Sequence, residues 1–359
     1  MDNKPLIFDL DLIELTSLLD SWGFPAYRAD QIWHGLYKDL YSSADQFSVL
    51  PRILRKQLSE YFGKLMTDGS LSFSALEAAT IQESKDGSTR KSLYRLSDGR
   101  LVEAVLMQYA RRRTLCISTQ SGCAMGCVFC ATGQMGFGRH LSSGEIVEQV
   151  LSDARLLAKR KESVSNVVIM GMGEPFHNYD ATLAAIDRLN HPQGYNLGAR
   201  RFTVSTVGLV PMIRRFAAEK RQVNLAISLH AADDGLRSSM LPINNRYPLE
   251  ELMSACRDYV VQTKRRITFE WALIEGVNDT PEQALKLAAL LHTLRVNGIL
   301  LCHVNAIPLN PTKKYAGKAT SQARADIFKG ELQKHRIPCT IRVRRGIDIQ
   351  AGCGQLAGN

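Results

Sequence analysis

Three cysteines lie close together in the sequence and could hold an iron–sulfur cluster. Cys123, Cys127 and Cys130 occur in the glycine-containing segment Ser-Gly-Cys-Ala-Met-Gly-Cys-Val-Phe-Cys. Three thiolates can bind three irons of a [4Fe–4S] cluster and leave the fourth iron free. A zinc site would need a fourth Cys or His at finger-like spacing, and Cys256 is too distant to complete a second pair. The spacing favours an open cluster, with a structural zinc loop as the alternative.

Further polar residues follow the β-type segments that come later in the chain. Gly173 and Glu174 lie in Met-Gly-Met-Gly-Glu-Pro, where glycine lets the backbone approach a ligand and a carboxylate can accept a hydrogen bond from an ammonium group. Ser205, the Ser228-Leu229-His230 tripeptide and Asn310 each end another β-type segment. Each taken singly indicates a polar loop, but together they predict a ligand bound across the carboxyl ends of the strands.

The elements that must position these residues alternate between β-branched segments and amphipathic helices. The six predicted strands are 114–119, 166–170, 202–206, 223–228, 266–273 and 301–307. The predicted helices between them are 143–158, 180–189, 211–219, 248–263 and 281–294. Six such repeats predict an α/β fold with a parallel sheet, either open or curled towards a barrel. In both cases the ligand site lies past the carboxyl ends of the strands.

The chain before residue 109 has a different character. Apolar residues at three-and-four spacing predict helices from Asp9 to about Gly63, and Arg52, Arg55 and Lys56 could face a phosphate backbone there. Strand-like segments joined at Ser97-Asp98-Gly99 then predict a hairpin. We therefore expect a helical accessory domain at 1–66, a β-hairpin linker at 67–108, a core at 109–346 and a C-terminal loop at 347–359.

Charge and composition narrow the class of protein. Forty-five Lys and Arg against 35 Asp and Glu give a net charge of +10, with basic clusters at 111–113, 264–266 and 342–345. This excess favours a polyanionic partner, although a merely basic surface would look the same. The N-terminus lacks the features of a signal peptide, and no segment is apolar enough to span a membrane. We expect a soluble cytoplasmic protein whose eight cysteines bind metal or act in catalysis.

The cysteine segment resembles that of the radical S-adenosylmethionine superfamily. Nearly the whole chain is similar to the RlmN/Cfr family of RNA adenine methyltransferases, through VEAVLM, CISTQSGCAMGCVFCATG, MGMGEP, STVG, SLHA, PINNRYPLEEL, GVND and GCGQL. The resemblance implies a partial (β/α)6 TIM-like barrel with a small N-terminal helical domain and a C-terminal catalytic tail. It implies that Cys123, Cys127 and Cys130 bind the [4Fe–4S] cluster, and that seven residues bind S-adenosylmethionine: Gly173, Glu174, Ser205, Ser228, Leu229, His230 and Asn310.

The resemblance also implies a reaction. Cys353 would receive a methyl group from one S-adenosylmethionine, and a second would be cleaved to start radical addition to carbon 2 of adenosine. Glu103 would accept the proton from that carbon, and Cys116 would form a transient disulfide with Cys353. Gly352 stands where the family usually has Ala, which leaves the flexibility of this loop open.

The implied substrates are the peptidyl-transferase-centre adenosine of 23S rRNA, free of protein or during ribosome assembly, and the adenosine 3′ of the anticodon in tRNA. The resemblance also implies an electron donor such as flavodoxin, and a protein that is monomeric and has no contact with a membrane. Two alternatives are a Cfr-like enzyme that methylates carbon 8 of the same adenosine, and a nucleic-acid-binding module with a structural zinc.

Overall fold

A ten-stranded mixed sheet organises the computed structural model, which describes residues 5–358. Residues 1–4 and 359, which belong to the predicted terminal segments, lie outside the described residues. No helix in the described part of the chain is both long enough and apolar enough to cross a membrane.

The helices and strands are numbered in chain order. The α-helices are α1 (Leu12–Ser21), α2 (Tyr27–Tyr37), α3 (Arg52–Phe62), α4 (Ala131–Met135), α5 (Ser143–Ala158), α6 (Tyr179–Asn190), α7 (Val210–Ala218), α8 (Asp234–Met240), α9 (Leu249–Thr263), α10 (Pro281–His292) and α11 (Gln322–Lys334). The strands are β1 (Lys64–Leu65), β2 (Leu71–Ser72), β3 (Glu77–Glu83), β4 (Thr89–Arg95), β5 (Leu101–Tyr109), β6 (Arg112–Cys116), β7 (Gln120–Gly122), β8 (Phe137–His140), β9 (Asn166–Ile169), β10 (Phe202–Thr206), β11 (Asn224–Ser228), β12 (Ile267–Leu273), β13 (Cys302–Pro308) and β14 (Cys339–Ile341).

The sheet has a parallel part and an antiparallel part. Its strand order is β14-β13-β12-β11-β10-β9-β6-β5-β4-β3, and every pair from β6 to β14 is parallel. The six strands predicted from the sequence correspond to β6 and β9–β13, which confirms the α/β fold with a parallel sheet. The short β14 adds a seventh parallel strand that the sequence pattern did not reveal. Because β14 and β3 lie at opposite edges, the barrel is open.

The antiparallel strands continue the main sheet. β4 and β5 form the predicted hairpin around Gly99, whose φ of 81° suits the turn. β5 also pairs with β6, so that Val105 lies opposite Cys116. Residues 102–106 of β5 are buried on both faces of the strand, and the pairing of β5 with β6 joins the hairpin to the sheet. Residues of β5 therefore come close to the parallel strands.

The N-terminal helices pack on α5 and α6. Asp11 and Glu14 form a capping box that starts α1. The Arg155 guanidinium on α5 donates to the carbonyl of Leu40 (2.9 Å), and Arg188 on α6 donates from Nε to the carbonyl of Leu10 (3.2 Å). These bonds attach the helical unit to the sheet's helical layer.

Helix α5 begins and ends where the sequence predicted. Ser142 accepts a hydrogen bond from the Glu145 amide and closes a capping box. The helix buries the carboxyl group of Asp153, and Oδ2 of this group has no hydrogen-bond partner. Burial raises the pKa of Asp153 to about 7. This acid is consequently a local cost to stability when it is ionised.

Candidate functional site

The three clustered cysteines lie on the loop between β7 and α4. A hydrogen bond from the Cys123 amide to the Gly136 carbonyl (2.9 Å) and another from the Cys130 amide to the Cys127 carbonyl (3.2 Å) fold the loop back on itself. A Cβ at Gly133 would come within 2.9 Å of the Cys127 backbone, so glycine lets α4 approach the loop. All three thiols are free and line one cavity.

The protonation of these thiols indicates what could bind them. Burial raises the pKa of Cys123 to about 12 and that of Cys127 well above its usual range. Such thiols ionise beside strong positive charge, and metal ions deprotonate them outright. Among residues 5–358, no three Cys, His, Asp or Glu side chains converge on a point that could hold one ion. Thiols that bind separate irons need not converge in this way, so the donor set fits a [4Fe–4S] cluster.

The cavity above the cysteines, which we call the cofactor cavity, is bounded by the carboxyl ends of the parallel strands. Its empty volume is about 1000 Å³, including the part open to solvent. Its walls include six of the seven residues that the sequence assigned to the cofactor: Gly173, Glu174, Ser205, Ser228, His230 and Asn310. The strand-end position is the one that a parallel α/β sheet predicts for a ligand.

Glu174 presents a buried carboxylate to this cavity. Its two oxygens accept hydrogen bonds from the amides of Phe176 (3.0 Å) and Val207 (2.9 Å). Burial raises its pKa to about 7, and no basic side chain of the described chain pairs with it. Gly173, with a φ of 102°, places this residue, and a Cβ there would lie 2.6 Å from Cβ of Gln120. The carboxylate is thus suited to an ammonium group of a ligand.

His230 is held as a neutral ring. Its Nδ1 accepts a hydrogen bond from the Ala272 amide (2.9 Å), which leaves the proton on Nε2. Burial lowers its pKa to about 3. Its φ of 59° lies in the left-handed region, and Asn278 donates to its carbonyl (2.8 Å). Such a constrained, non-glycine residue in a cavity wall is typical of a functional site.

Three further polar side chains complete the wall. The hydroxyl oxygens of Ser205 and Ser228 lie 3.3 Å apart, on the adjacent strands β10 and β11. Asn310 donates from Nδ2 to the Cys353 carbonyl (3.0 Å), and its buried Oδ1 has no hydrogen-bond partner. An unpaired buried acceptor is costly and indicates a missing donor. The hydroxyl and amino groups of S-adenosylmethionine would provide one.

The C-terminal segment crosses the mouth of this cavity. Thr132 donates to the Leu356 carbonyl (2.6 Å), and the Ala131 amide donates to the Gly354 carbonyl (2.7 Å). The side chain of Cys353 is exposed and lines the cofactor cavity. A Cβ at Gly352 would meet the Asn310 amide nitrogen at 2.6 Å, so an alanine there would displace this amide or the loop. The segment is therefore ordered by contacts with α4 and with Asn310.

A second cavity, which we call the vestibule, adjoins the first. Cys353, Cys130, Glu270 and Asn310 line both cavities, and Cys116 lines the vestibule. Burial raises the pKa of Cys116 to about 12, and the nearby Cys353 thiol adds to this shift. Burial of the Cys353 sulfur among protein atoms raises its pKa to about 11, although the side chain remains accessible through the cavity.

The vestibule brings together two basic clusters that are far apart in the sequence. Arg112, Arg342, Arg344 and Arg345 line it together with Tyr109. The guanidinium groups of Arg112 and Arg345 lie 4.4 and 4.5 Å from the centre of the Tyr109 ring. Guanidinium groups stacked on an aromatic ring suit phosphate and base recognition.

Glu103 lies beside the vestibule but does not line it. Its Oε1 forms a buried ion pair with Nζ of Lys91 (2.9 Å), and its Oε2 accepts hydrogen bonds from the amides of Ala357 (2.8 Å) and Gly358 (3.1 Å). It is completely buried. The C-terminal segment covers the carboxylate, so a substrate reaches it only after this segment moves.

Leu229 does not lie where the sequence-based expectation placed it, and Glu270 was not anticipated. The side chain of Leu229 is packed in the hydrophobic core, and this residue does not line the cavity, unlike its neighbours Ser228 and His230. Glu270 on β12 lines both cavities, although the sequence analysis passed over it. Asn305 donates to it (3.0 Å), and burial raises its pKa to about 7. A lone acid inside the apolar Ile267–Leu273 strand was the signal that could have identified it.

Comparison with known proteins agrees with this geometry. The Radical SAM superfamily profile matches residues 117–288. A probable dual-specificity RNA methyltransferase RlmN from Chloroflexus aurantiacus is 50% identical over 98% of this chain and 92% of that protein. The dual-specificity RNA methyltransferase RlmN 1 of Myxococcus xanthus is 48% identical, covering 99% and 95%. The crystal structure of a radical SAM methyltransferase from Sphaerobacter thermophilus superposes with a TM-score of 0.92 at 47% identity, covering 99% and 100%.

Proposed function

The chain belongs to the RlmN family of radical SAM proteins, and on that premise we propose that it methylates carbon 2 of adenosine in RNA through a methyl group carried on Cys353. The proposed substrates are the peptidyl-transferase-centre adenosine of 23S rRNA and the adenosine 3′ of the anticodon in tRNA. A reductant of the flavodoxin class would supply electrons.

The position of Cys353 is the observation that carries this proposal. The thiol belongs to the cavity that contains the cluster cysteines and to the vestibule that contains Cys116 and the arginines. A group attached to this sulfur can therefore be loaded from one cavity and presented to a substrate in the other. A thiol confined to either cavity could not link the two.

The chemistry at carbon 2 explains why a carrier and a radical source are needed together. This carbon is electron-poor and has no nucleophilic lone pair, so it cannot displace a methyl group from a sulfonium. A [4Fe–4S] cluster on Cys123, Cys127 and Cys130, with S-adenosylmethionine held by Glu174 and the strand ends, would supply the methyl group and the radical. The protein's own residues provide the remaining functions.

Three residues share these functions in the proposal. Cys353 carries the methyl group as a thioether and becomes the sulfur that joins the protein to RNA. Glu103 accepts the proton from carbon 2 once the C-terminal segment has moved, as a general base. The unpaired electron of the adduct would return to the oxidised cluster. The Cys116 thiol then attacks the Cys353 sulfur, so that a sulfur–sulfur bond forms as the carbon–sulfur bond breaks. The electron pair of the broken bond goes to the methylene carbon, which takes up the proton of the Cys116 thiol and becomes the methyl group. The methylated adenosine leaves, and a transient disulfide remains.

The vestibule's charge suits an RNA substrate. Arg342 and Arg344 are exposed at its edge, and Arg112 and Arg345 stack on Tyr109. Arg113 contributes less, because its guanidinium is paired with Glu162 (2.6 Å). Arginine groups on an aromatic ring can bind phosphate oxygens and leave the ring edge free for a base.

The test is to map the product and the trapped intermediate. Anaerobically reconstituted protein would be incubated with S-adenosylmethionine, reductant and either an rRNA fragment or tRNA, and digested RNA would be analysed by mass spectrometry. We expect 2-methyladenosine from the native chain, neither product nor adduct from Cys353→Ala, and a covalent protein–RNA species from Cys116→Ala. Cys256→Ala, a buried thiol outside both cavities, is the matched control.

The outcomes separate the alternatives. Methylation at carbon 8 would assign the Cfr-like reaction instead. Equal methylation by the Cys353→Ala and Cys116→Ala variants would refute the carrier mechanism. Zinc in place of iron, with no cleavage of S-adenosylmethionine on reduction, would indicate a nucleic-acid-binding module.

A further inference from the structure

Arg237 is a buried cation without an acidic partner. Its residue is 1% exposed, and its guanidinium donates to the carbonyl of Leu229 (3.2 Å), to Oδ1 of Asn244 (2.8 Å) and to the carbonyl of Val207 (2.6 Å). These acceptors and a fourth, the Ser228 carbonyl at 3.4 Å, are neutral. The carboxylate of Asp234 acts on the guanidinium only through space, and none of the ion pairs formed within residues 5–358 includes this arginine. Burial lowers its pKa to about 10, so it stays protonated at neutral pH.

The buried positive charge of this guanidinium requires a compensating negative charge. Removing an ion from water costs several kcal/mol even after the protein relaxes, and neutral carbonyls recover only part of that cost. Buried charges in proteins are generally paired or lie beside a metal centre. The elements that pack against α8 show where a compensating anion could lie.

One of those elements is the cysteine loop. The Val128 amide donates to the Met240 carbonyl at the end of α8 (3.1 Å). Cys127, Met240 and Leu241 share one apolar cluster, and a Cβ at Gly126 would touch the ring of Pro242 at 3.7 Å. Val207 and Ser228, whose carbonyls accept hydrogen bonds from Arg237, line the same cavity as the three clustered cysteines. Helix α8, which carries Arg237, is thus packed against the cluster-binding loop.

The charge of the expected cluster matches this requirement. An oxidised [4Fe–4S] core bound by three thiolates carries one net negative charge, and one-electron reduction adds a second. Net charge and the surrounding electrostatics set the reduction potentials of such clusters. A fixed cation nearby stabilises the reduced, more negative state more than the oxidised one.

We propose that Arg237 is the counter-charge of the iron–sulfur cluster, and that it raises the cluster's reduction potential while its hydrogen bonds hold the ends of β10 and β11 in place. The inference rests on the proposed function, because it requires the cluster on Cys123, Cys127 and Cys130. Arg237 acts through the cluster and the strand ends, so it is a positioning residue.

The test compares three variants of the full chain after anaerobic reconstitution. Arg237→Met removes the charge and the hydrogen bonds, and Arg237→Lys keeps the charge. Arg188→Met is the matched control, because Arg188 is also buried and donates to backbone carbonyls, but at Asp9 and Leu10 near the N-terminal helices. Iron and sulfide content would be measured first, followed by a redox titration monitored by electron paramagnetic resonance, without S-adenosylmethionine and with it.

We expect Arg237→Met to lower the reduced-to-oxidised ratio at a fixed potential by about tenfold, which corresponds to about 59 mV for one electron. Arg237→Lys should recover most of this loss, and Arg188→Met should match the native chain. A cluster that assembles in Arg237→Lys but not in Arg237→Met would also support the counter-charge.

Two results would overturn the inference. One is an unchanged potential in a fully loaded Arg237→Met protein. The other is equal impairment of Arg237→Met and Arg237→Lys, in potential or in cluster content, while Arg188→Met is normal, because hydrogen bonding and not charge would then be responsible. Failure of the native chain to bind any cluster would instead refute the proposed function.

Discussion

Replacing Lys91 by methionine should destabilise the protein by breaking its ion pair with Glu103. The two side chains are 8% and 1% exposed, and their charged atoms lie 2.9 Å apart. Lys91 is opposite Val105 in the β4–β5 register, and Glu103 is opposite Leu93, so the pair is diagonal on one face of the hairpin. The substitution leaves the Glu103 carboxylate buried without a cation.

The size of the effect follows from the burial. Removing one partner of a buried ion pair costs about 3–5 kcal/mol, because the remaining charge is uncompensated. Glu103 keeps the hydrogen bonds from the Ala357 and Gly358 amides, so we expect the lower value, about 3 kcal/mol. At about 2 °C per kcal/mol for a domain of this size, the Tm should fall by about 6 °C.

Thermal unfolding followed by circular dichroism at neutral pH measures this. The double variant Lys91→Met with Glu103→Gln removes both charges, and we expect it to recover at least half of the loss. Lys56→Met is the control, because Lys56 forms an exposed pair with Glu60 at 3.7 Å and such pairs contribute little. A fall in Tm for Lys91→Met as small as that for Lys56→Met would refute the reasoning. A fall in Tm for the double variant equal to the sum of the falls for Lys91→Met and Glu103→Gln alone would refute it too.

Three further predictions concern separate parts of the molecule. Asp153→Asn should raise the Tm at about pH 8 and change it little at about pH 4. The pKa of Asp153 in the folded protein is raised from an ordinary value near 4 to about 7, so the native protein loses stability as the pH rises through that window. An equal gain in Tm at both pH values would contradict this. Gly173→Ala should abolish binding of S-adenosylmethionine in calorimetry, because the new Cβ meets Gln120 at 2.6 Å and the φ is 102°; native affinity would disprove it. Arg345→Met should weaken RNA binding and reduce, by about 1, the slope of the logarithm of the binding constant against the logarithm of the salt concentration. Filter binding across salt concentrations measures this slope, and an unchanged slope would show that Arg345 contacts no phosphate.

Periodicity and spacing were sufficient to predict the parallel half of the fold. Helix α5 begins at Ser143 and ends at Ala158 as predicted, because a capping box marks its start and a regular apolar stripe runs along it. The strand ends carrying Glu174, Ser205 and Asn310 meet at one cavity, because parallel strands share one carboxyl edge.

The contacts between distant segments could not be predicted in this way. The Lys91–Glu103 pair depends on the register of two antiparallel strands, and a shift by one residue would place the two side chains on opposite faces. Arg237 looks like any basic residue of a short polar helix until the packing of α8 on the cysteine loop is known. β14 spans only Cys339–Ile341, too short for a periodic signal.

The strand order separates the handling of cofactor and substrate along the sheet. The cofactor cavity is built from parallel strands that follow β6, whereas one wall of the vestibule is built from β5, through Val105, Met107 and Tyr109. A shortened protein that began at β6 would keep the cluster cysteines and the strand ends. It would lose that wall and the carboxylate of Glu103, which accepts hydrogen bonds from the Ala357 and Gly358 amides, and it would expose the edge of β6. Under the proposed function, a fragment that modifies a substrate would therefore include the β4–β5 hairpin, whereas a fragment that only binds the cofactor would not need it.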